Sequence, residues 1–220
     1  MRLILIGPPG AGKGTQAQLL CMRLGLVHVS TGDILRDAMQ RDTPEGRRAK
    51  PFMTGGRLVP DDLVNDIVAA RFRGADRPTA FIMDGYPRTL AQAVAFEPIL
   101  KEQGLQLDAV VYLEVHDDEI VRRNSARWTC VNPDCKATYN TLSKPPRTQG
   151  RCDLCNHLLT QRDDDKPDTI RRRLQFFHQQ QRDILQHYAA KDLLIEIPAV
   201  GNIESIYANI VTSLKKRTAV

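Results

Sequence analysis

A glycine-rich segment, Gly7–Thr15, constrains the fold of this chain more than any other feature of its sequence. It follows the short apolar run Arg2–Ile6, which predicts a buried strand, and it precedes Gln16–Leu24, where apolar residues recur at helical spacing. The segment fits the phosphate-loop pattern G-x-x-x-x-G-K-[ST], except that Gly14 delays the hydroxyl by one position, to Thr15. A strand, a glycine turn and a helix N-terminus together present backbone N–H groups to phosphate. We therefore predict a nucleoside triphosphate site, with a tight turn that binds nothing as the alternative.

Short apolar segments alternate with amphipathic ones along the remainder of the chain. The alternation predicts the α/β class, with a five-stranded parallel sheet flanked by helices on both faces. Because parallel strands end at one edge of a sheet, polar residues that follow the strands should gather beside Lys13. After Arg2–Ile6, the predicted strands are Leu26–Val29, Phe81–Asp84, Val110–Val115 and Leu193–Ile197.

The segment between the second and third predicted strands combines a helix signal with a polar insert. A helix is expected over Ile34–Gln40, and the polar, glycine-rich stretch from Asp42 to Pro60 predicts a small inserted lobe. The candidate caps are Ser30, Thr31 or Asp33 for this helix and Asp61 or Asp62 for the next one.

The helix expected after Arg88 carries a polar residue whose direction matters for a site. Leu90 and Val94 are expected to face the core, which places Gln92 on the opposite side of the helix. Pro98 is expected to begin a new helical turn, because proline is tolerated at the start of a helix and not inside one.

Arginines in the second half of the chain follow helical spacing. Arg123 and Arg127 lie four residues apart, which predicts that they share one helix face. On the long helix expected over Thr169–Tyr188, Arg173 borders the apolar stripe, as an arginine that reaches into a cleft would.

Composition limits the classes of partner. With 42% hydrophobic and 26% charged residues, the 220-residue chain has the composition of a globular protein. It contains no apolar run of the roughly twenty residues that span a membrane and no signal-peptide pattern, so a cytoplasmic location is expected. The net charge of +5 permits nucleic-acid binding, but the arginines lie beside the phosphate-site segments, which favours a small phosphorylated substrate.

Four of the five cysteines form a spaced set, Cys130-x4-Cys135-x16-Cys152-x2-Cys155, whereas Cys21 lies on the apolar stripe of the first helix. Two cysteine pairs at this spacing predict a zinc ribbon, in which four thiolates close a tetrahedron and leave no position for a substrate. We expect structural zinc; thiols without metal, redox thiols and a catalytic metal are the alternatives. Because His157 and Asp153 are further donors, the fourth ligand remains open.

Taken together, the motifs resemble those of the adenylate kinase family, specifically its long type with a zinc-bearing lid, among the phosphate-loop nucleoside monophosphate kinases. The resemblance implies reversible transfer of the terminal phosphoryl group of ATP to AMP, giving two ADP, in adenine nucleotide homeostasis. It also implies a core domain over 1–29, 60–121 and 161–220, an AMP-binding lobe over 30–59 and a lid over 122–160. The motifs that carry it are Gly7–Thr15, Ser30–Arg36, Gly56–Val64, Asp84–Thr89 with Gln92, Arg123 with Arg127, and Arg162–Asp165 with Arg173.

The resemblance also implies roles for individual residues. The implied catalytic residues are Lys13, Asp84, Arg88, Arg127, Arg162 and Arg173. ATP-binding residues would be Gly10, Ala11, Gly12, Lys13, Gly14, Thr15, Arg123 and Arg127. AMP-binding residues would be Thr31, Arg36, Arg57, Val59, Gly85, Arg88, Gln92, Arg162 and Arg173. Zinc ligands would be Cys130, Cys135, Cys152 and Cys155.

The implied cofactors are Mg²⁺ with ATP, oriented through water by Asp84 and Asp33, and structural Zn²⁺. The implied partners are ATP, AMP and ADP, without nucleic acid or membrane, and the chain is expected to be a monomer. The family's lid carboxylate matches Asp164 within the run Asp163–Asp165, and the choice among the three is open. Two alternatives remain: a kinase for UMP, CMP or GMP, against which Gln92 and Thr31 argue, and a zinc-ribbon nucleic-acid binder with an NTPase core.

Overall fold

The central strand of the protein is the apolar run that precedes the glycine-rich segment. The computed structural model describes residues 1–135, 137–162 and 165–218. In chain order the elements are β1 (Arg2–Ile6), α1 (Lys13–Leu24), β2 (Val27–Ser30), α2 (Thr31–Gln40), α3 (Pro44–Thr54), α4 (Asp61–Arg73), β3 (Phe81–Asp84), α5 (Leu90–Glu102), β4 (Ala109–Glu114), α6 (Asp117–Ser125), β5 (Arg127–Cys130), β6 (Thr138–Asn140), β7 (Leu159–Thr160), α7 (Pro167–Ala189), β8 (Leu194–Pro198) and α8 (Ile203–Thr218).

Five strands form a parallel sheet in the order β2-β3-β1-β4-β8. In β1, Leu3 and Leu5 pack into the core on one face, while Ile4 and Ile6 pack into the core on the other. This alternation follows from the two-residue repeat of a strand, and it shows that helices cover both faces. The predicted five-stranded parallel sheet flanked by helices is confirmed.

The two core layers place the carboxyl ends of β1, β2 and β3 at one edge of the sheet. One layer contains the edge-to-face aromatic group Phe72, Phe81, Phe96 and Tyr86, which joins α4, β3 and α5. In the other layer, α1 and α8 pack together against the sheet. No helix within the described residues is long and apolar enough to cross a membrane.

The wrong face of α5 was predicted to be buried. Leu90 and Val94 are 38% and 53% exposed, whereas Gln92 is only 2% exposed. The apolar residues Ala93, Phe96, Ile99 and Leu100 form the buried stripe, and Gln92 joins it because both ends of its amide find hydrogen-bond partners. The apolar character of Leu90 and Val94 was therefore not sufficient to predict which face of this helix is buried.

Pro98 also departs from the prediction, since it lies inside α5. A proline at this position removes the hydrogen bond to the carbonyl of Val94. The helix tolerates the loss because both residues are exposed, so water can bind that carbonyl.

The polar insert contains a helix that the sequence reading missed. Within the stretch expected as a lobe, α3 begins after Thr43, whose Oγ1 accepts a hydrogen bond from the N–H of Gly46 at 3.1 Å. Among the candidate caps of α2, Ser30 is the one used, and its Oγ accepts from the N–H of Asp33 at 3.2 Å. The helix α4 is preceded by Pro60 and has no side-chain cap, so the cap predicted there was wrong.

The cysteine-bearing insert forms its own three-stranded antiparallel sheet in the order β6-β5-β7. Because α6 ends at Ser125, Arg123 lies on this helix while Arg127 begins β5. The prediction that the two arginines share a helix face was therefore wrong.

Candidate active site

The glycine-rich segment connects β1 to α1 as a tight loop. Gly10 and Gly12 have φ angles of +88° and +93°, which side chains other than glycine rarely adopt. Lys13 begins α1 and folds back over the loop, where its Nζ donates to the carbonyls of Gly7 at 2.7 Å and Pro8 at 2.8 Å. The loop thus combines a helix N-terminus with a lysine, an arrangement that binds anions.

Lys13 lies in a concentration of positive charge. Loss of hydration lowers the pKa of its ammonium group to about 7; Asp84 opposes this shift, and Arg88, Arg173 and Arg127 add to it. The three arginines come from segments far apart in the sequence, so the fold brings them together around one lysine. Such a cluster of cations is electrostatically favourable only when an anion lies among them.

Asp84 ends β3 and faces this cluster. Its Oδ2 lies 3.2 Å from Nε2 of His28 on the adjacent strand β2, two residues before the register partner of Asp84, which is Ser30. Burial raises the pKa of Asp84, but the hydrogen bond to His28 and the charges of Lys13 and Arg88 outweigh it and lower the pKa overall. Asp84 is therefore an ionised carboxylate beside the phosphate loop.

Asp33 is a second acidic residue at this edge of the sheet. Burial raises its pKa, but Arg36 outweighs this effect, and the pKa is lowered overall. Nη2 of Arg36 lies 2.6 Å from Oδ1 of Asp33, so this carboxylate holds an arginine in place.

A cavity opens beside Lys13 between α2, α3 and the end of β3. All the predicted AMP-binding residues except Arg162 lie on its wall, namely Thr31, Arg36, Arg57, Val59, Gly85, Arg88, Gln92 and Arg173. Leu35, Met53 and Val64 add apolar surface. The wall is thus basic where the arginines lie and apolar elsewhere, as a nucleotide requires.

Gly85 directly follows β3 and lies on the cavity wall. Its φ is +80°, and a Cβ at this position would lie 2.9 Å from Nη2 of Arg88 and 3.1 Å from Oγ1 of Thr31. Its carbonyl accepts hydrogen bonds from Oγ1 of Thr31 and Nε of Arg88, both at 2.8 Å. A larger residue would displace both side chains.

Arg123, Arg127 and Arg162 are each held by hydrogen bonds to other residues of the protein. Arg127 forms a two-bond pair with the buried carboxylate of Asp165, and Nε of Arg162 donates to Oγ1 of Thr129 at 3.1 Å. Nε of Arg123 donates to Glu119 at 2.7 Å, and its Nη2 donates to the carbonyl of Ala199 at 3.0 Å. Asp163 and Asp164 lie outside the described residues.

Cys130, Cys135, Cys152 and Cys155 come together in the insert, and their Sγ atoms all lie within 4.8 Å of one another. The Sγ atoms of Cys130 and Cys155 are 3.4 Å apart, and those of Cys135 and Cys152 are 3.6 Å apart. A zinc ion with sulfur ligands at about 2.3 Å requires sulfur separations of about 3.8 Å, so the four thiols fit such an ion.

The structure favours these four cysteines over the alternative zinc donors. Asp153 accepts a hydrogen bond from the N–H of Arg147 at 2.8 Å, and His157 directs its Nδ1 to the carbonyl of Cys155. Neither residue belongs to the cluster found within the described part of the chain.

Two residues at the site, His28 and Asn124, were not predicted from the sequence. His28 is a polar residue between two valines of β2, a break in the apolar pattern that marks it in hindsight. Asn124 is 1% exposed, and its Nδ2 donates to the carbonyls of Pro9 at 3.0 Å and Ile120 at 3.1 Å. It joins the end of α6 to the phosphate loop, and no sequence pattern indicated this contact.

Comparison with known proteins shows the family to which this chain is similar. The sequence model of the adenylate kinase family matches residues 5–193. The chain is 46% identical over 215 residues to the adenylate kinase of Acidothermus cellulolyticus, with 98% of each chain covered. It is 42% identical over 219 residues to that of Streptomyces avermitilis, covering 100% of this chain and 99% of the relative. It is 42% identical over 216 residues to that of Archaeoglobus fulgidus, covering 98% and 99%. The resemblance inferred from the motifs is confirmed: the chain belongs to the adenylate kinase family.

Proposed function

We propose that the cleft around Lys13 is the site at which this chain carries out the reaction of its family, transfer of the terminal phosphoryl group of ATP to AMP to give two ADP. The observation that carries this proposal is the position of the cavity. Its wall holds the residues expected to bind AMP, and it adjoins the loop expected to bind ATP. Two phosphate chains can therefore approach each other over one lysine.

Transfer between two phosphates requires positioning and charge neutralisation more than acid–base chemistry. In this proposal the loop amides of 10–15 cradle the ATP phosphates, and Lys13 bridges donor and acceptor. Arg36 and Arg88 hold the phosphate of AMP, while Arg127, Arg162 and Arg173 neutralise the group in transfer. The planar guanidinium group binds phosphate with two parallel hydrogen bonds, which suits arginine to this task.

The remaining proposed contacts are those to the adenine bases of ATP and AMP and to the other parts of AMP. Arg123 lies against the adenine of ATP. Thr31, Arg57, Val59, Gly85 and Gln92 enclose AMP, with Gln92 at its adenine. Gln92 is suited to this role because its buried amide is held at both ends and lies on the cavity wall.

We also propose that Asp84, together with Asp33, orients Mg²⁺ through water. The ionised carboxylate of Asp84 beside the phosphate loop is the type of oxygen donor that Mg²⁺ prefers. When bound with ATP, this ion supplies neutralisation of the phosphate charge. The protein's own contribution is to keep Asp84 ionised, through His28 and the neighbouring cations.

The four-cysteine cluster is proposed to hold structural zinc within the lid. The small sheet β6-β5-β7 has only a small buried group, formed by Cys130, Tyr139, Cys152 and Leu159. A metal would supply the folding free energy that so small a core lacks. A lid that keeps its shape can exclude water during transfer; adenylate kinases are an established example of lid closure.

We propose a monomer in the cytoplasm. The predicted ATP and AMP residues all belong to one chain and converge without a second copy. A reducing compartment keeps the cysteine thiols available to a metal. The absence of nucleic acid and membrane from the partners remains part of the same proposal.

The proposal predicts that Lys13→Met lowers kcat for transfer from ATP to AMP by about 100-fold or more, because a charge that acts on the transferring group is lost. A coupled assay with AMP, UMP, CMP and GMP as acceptors measures both rate and preference. Calorimetry with a mimic that joins two adenosines through five phosphates tests whether both sites are occupied together. Near-normal transfer by Lys13→Met, or failure of the mimic to bind, would overturn the proposal.

A further inference from the structure

Asp61 lies in the first turn of α4, behind the wall of the cavity expected to bind AMP. Its Oδ1 accepts a hydrogen bond from Nε2 of Gln92 at 2.7 Å, and its Oδ2 accepts one from Oγ1 of Thr89 at 2.8 Å. Thr89 in turn caps α5 by accepting from the N–H of Gln92 at 3.1 Å. The carboxylate of Asp61 thus holds both Thr89, which caps α5, and the side chain of Gln92 in the first turn of that helix.

The amide of Gln92 is fixed in one of its two orientations. Its Oε1 accepts from the N–H of Arg88 at 2.7 Å, at the end opposite to the contact with Asp61. A carboxylate can only accept a hydrogen bond, and a backbone N–H can only donate one. Turning the amide by 180° would place oxygen against the carboxylate and NH₂ against the N–H, leaving buried groups without partners.

Tyr86 further restricts the position of Gln92. Its hydroxyl lies 3.0 Å from the carbonyl oxygen of Gln92 and 2.8 Å from Oδ1 of Asn65 on α4. Tyr86 is fully buried, and burial together with the negative charge of Asp61 raises the pKa of its hydroxyl. This hydroxyl therefore stays neutral and tethers the backbone of α5 to α4.

The fixed amide keeps one donor and one acceptor for a ligand. An amide offers two N–H groups and two lone pairs, and the contacts among the described residues use one of each. Gln92 lines the cavity, so the remaining N–H and lone pair are the groups that its side chain can offer to a ligand there, and the two contacts fix their order. Adenine presents N1 as acceptor and the 6-amino group as donor, whereas hypoxanthine and guanine present an N1–H donor and an O6 acceptor. For a base held in one pose, only one of these patterns matches.

We propose that Asp61 is a positioning residue for acceptor choice: by fixing the Gln92 amide, it makes the cavity accept a 6-aminopurine monophosphate and reject a 6-oxopurine monophosphate. This inference rests on the proposed placement of AMP in the cavity. Asp61 does not touch the base; it acts through Gln92. When the Gln92 amide is free to turn, it can present its donor and acceptor to the base in either order.

The test compares Asp61→Leu with Asp61→Asn, using ATP as donor and AMP or IMP as acceptor. Asp61→Leu should lower the ratio of kcat/KM for AMP to kcat/KM for IMP by about tenfold or more, through KM, with kcat at saturating AMP changed by less than about threefold. Asp61→Asn retains an oxygen that accepts from Gln92 and an NH₂ that can donate to Thr89. This conservative variant should keep the ratio within about threefold of the wild type. An unchanged ratio in Asp61→Leu would refute the inference.

A double variant tests the same inference if Asp61→Leu does not fold. Asp61→Asn with Gln92→Glu preserves both side-chain volumes and reverses the hydrogen bond between them. The carboxylate introduced on α5 would accept from the amide introduced on α4 and from the N–H of Arg88, and it would offer only acceptors to the base. The ratio should then shift toward IMP, because the amide N–H that pairs with N1 of adenine is lost while the carboxylate can still accept from N1–H of IMP; a ratio that stays at the wild-type value would contradict the inference.

Gln92→Leu separates this inference from the proposed function. If Gln92→Leu leaves the AMP-to-IMP ratio unchanged, Gln92 does not contact the acceptor base and the proposed AMP placement fails. If Gln92→Leu lowers the ratio and Asp61→Leu does not, the AMP placement stands and only the role of Asp61 fails.

Discussion

At the scale of single residues, the environment of Lys13 determines what the loop does. Its Nζ is held by two loop carbonyls, and loss of hydration, with a smaller contribution from three nearby arginines, lowers its pKa to about 7. The ligand-free protein therefore carries a lysine that loses its proton near neutral pH. Phosphate reverses this effect, because a nearby anion favours the charged ammonium form.

We expect proton uptake when ATP binds at pH 8. With a pKa of about 7, Lys13 is mostly neutral at this pH in the free protein, and binding of phosphates raises its pKa again. Calorimetry in two buffers of different ionisation enthalpy should detect uptake of roughly one proton, and apparent ATP affinity should weaken as pH rises above 7. Lys13→Arg, which stays charged, should remove the uptake. Equal enthalpies in both buffers for the wild type would contradict the prediction.

Gly85→Ala is expected to impair AMP binding selectively. The new Cβ would lie 2.9 Å from Arg88 and 3.1 Å from Thr31, at a φ of +80°. Steady-state kinetics should show KM for AMP raised by about tenfold, with KM for ATP little changed. Gly104→Ala is the matched control, since Gly104 has a φ of +66° and no heavy atom within 4 Å of the added Cβ. If both variants raise KM for AMP equally, backbone strain and not the clash is responsible.

At the scale of elements, helix orientation was harder to predict than helix position. The spacing of Leu90 and Val94 suggested a buried stripe, yet both are exposed and Gln92 is inside. An amide can be buried when its partners lie on other segments, here Asp61 and the backbone of Arg88. Such partners are invisible to a reading of one helix. The missed helix α3 has a local signal, since Thr43 and Pro44 form a cap and a favoured first position.

The small sheet β6-β5-β7 should depend on the proposed zinc ion. We expect Cys152→Ser combined with Cys155→Ser to abolish zinc binding and to lower the melting temperature by about 5 °C or more, because the remaining core is small. Metal analysis by mass spectrometry and a thermal melt measure the two effects. Cys21→Ser, which lies outside the cluster, should retain the metal. Unchanged zinc content in the double variant would exclude these cysteines as the ligands.

At the scale of the whole molecule, the pair of Arg127 with Asp165 joins β5 to the segment that leads into α7. Arg127 begins β5, and the Asp165 side chain is fully buried. The two-bond geometry requires the planar guanidinium group, which lysine lacks. This contact places an arginine of the cysteine-bearing insert within electrostatic reach of Lys13.

Arg127→Lys should therefore lower kcat for transfer by about tenfold or more, even though the charge is retained. Arg122→Lys is the control, because Arg122 is exposed and pairs with Glu119 on the same helix. Steady-state kinetics for both variants, with thermal melts to verify folding, provide the measurement. A loss in Arg122→Lys as large as that in Arg127→Lys would show that the pair with Asp165 has no special role.

The sequence by itself determined the local features of this protein. These features are the order of strands and helices, the loop at Gly7–Thr15 and the cysteine spacing. Each depends on residues that are close together along the chain, where steric preferences and hydrophobic periodicity set the local structure. Only the tertiary structure decided which way Gln92 faces, which acid holds Arg127, and how strongly the pKa of Lys13 is lowered. These properties depend on distances between atoms that are far apart in the sequence, and electrostatic and hydrogen-bond energies change steeply with such distances.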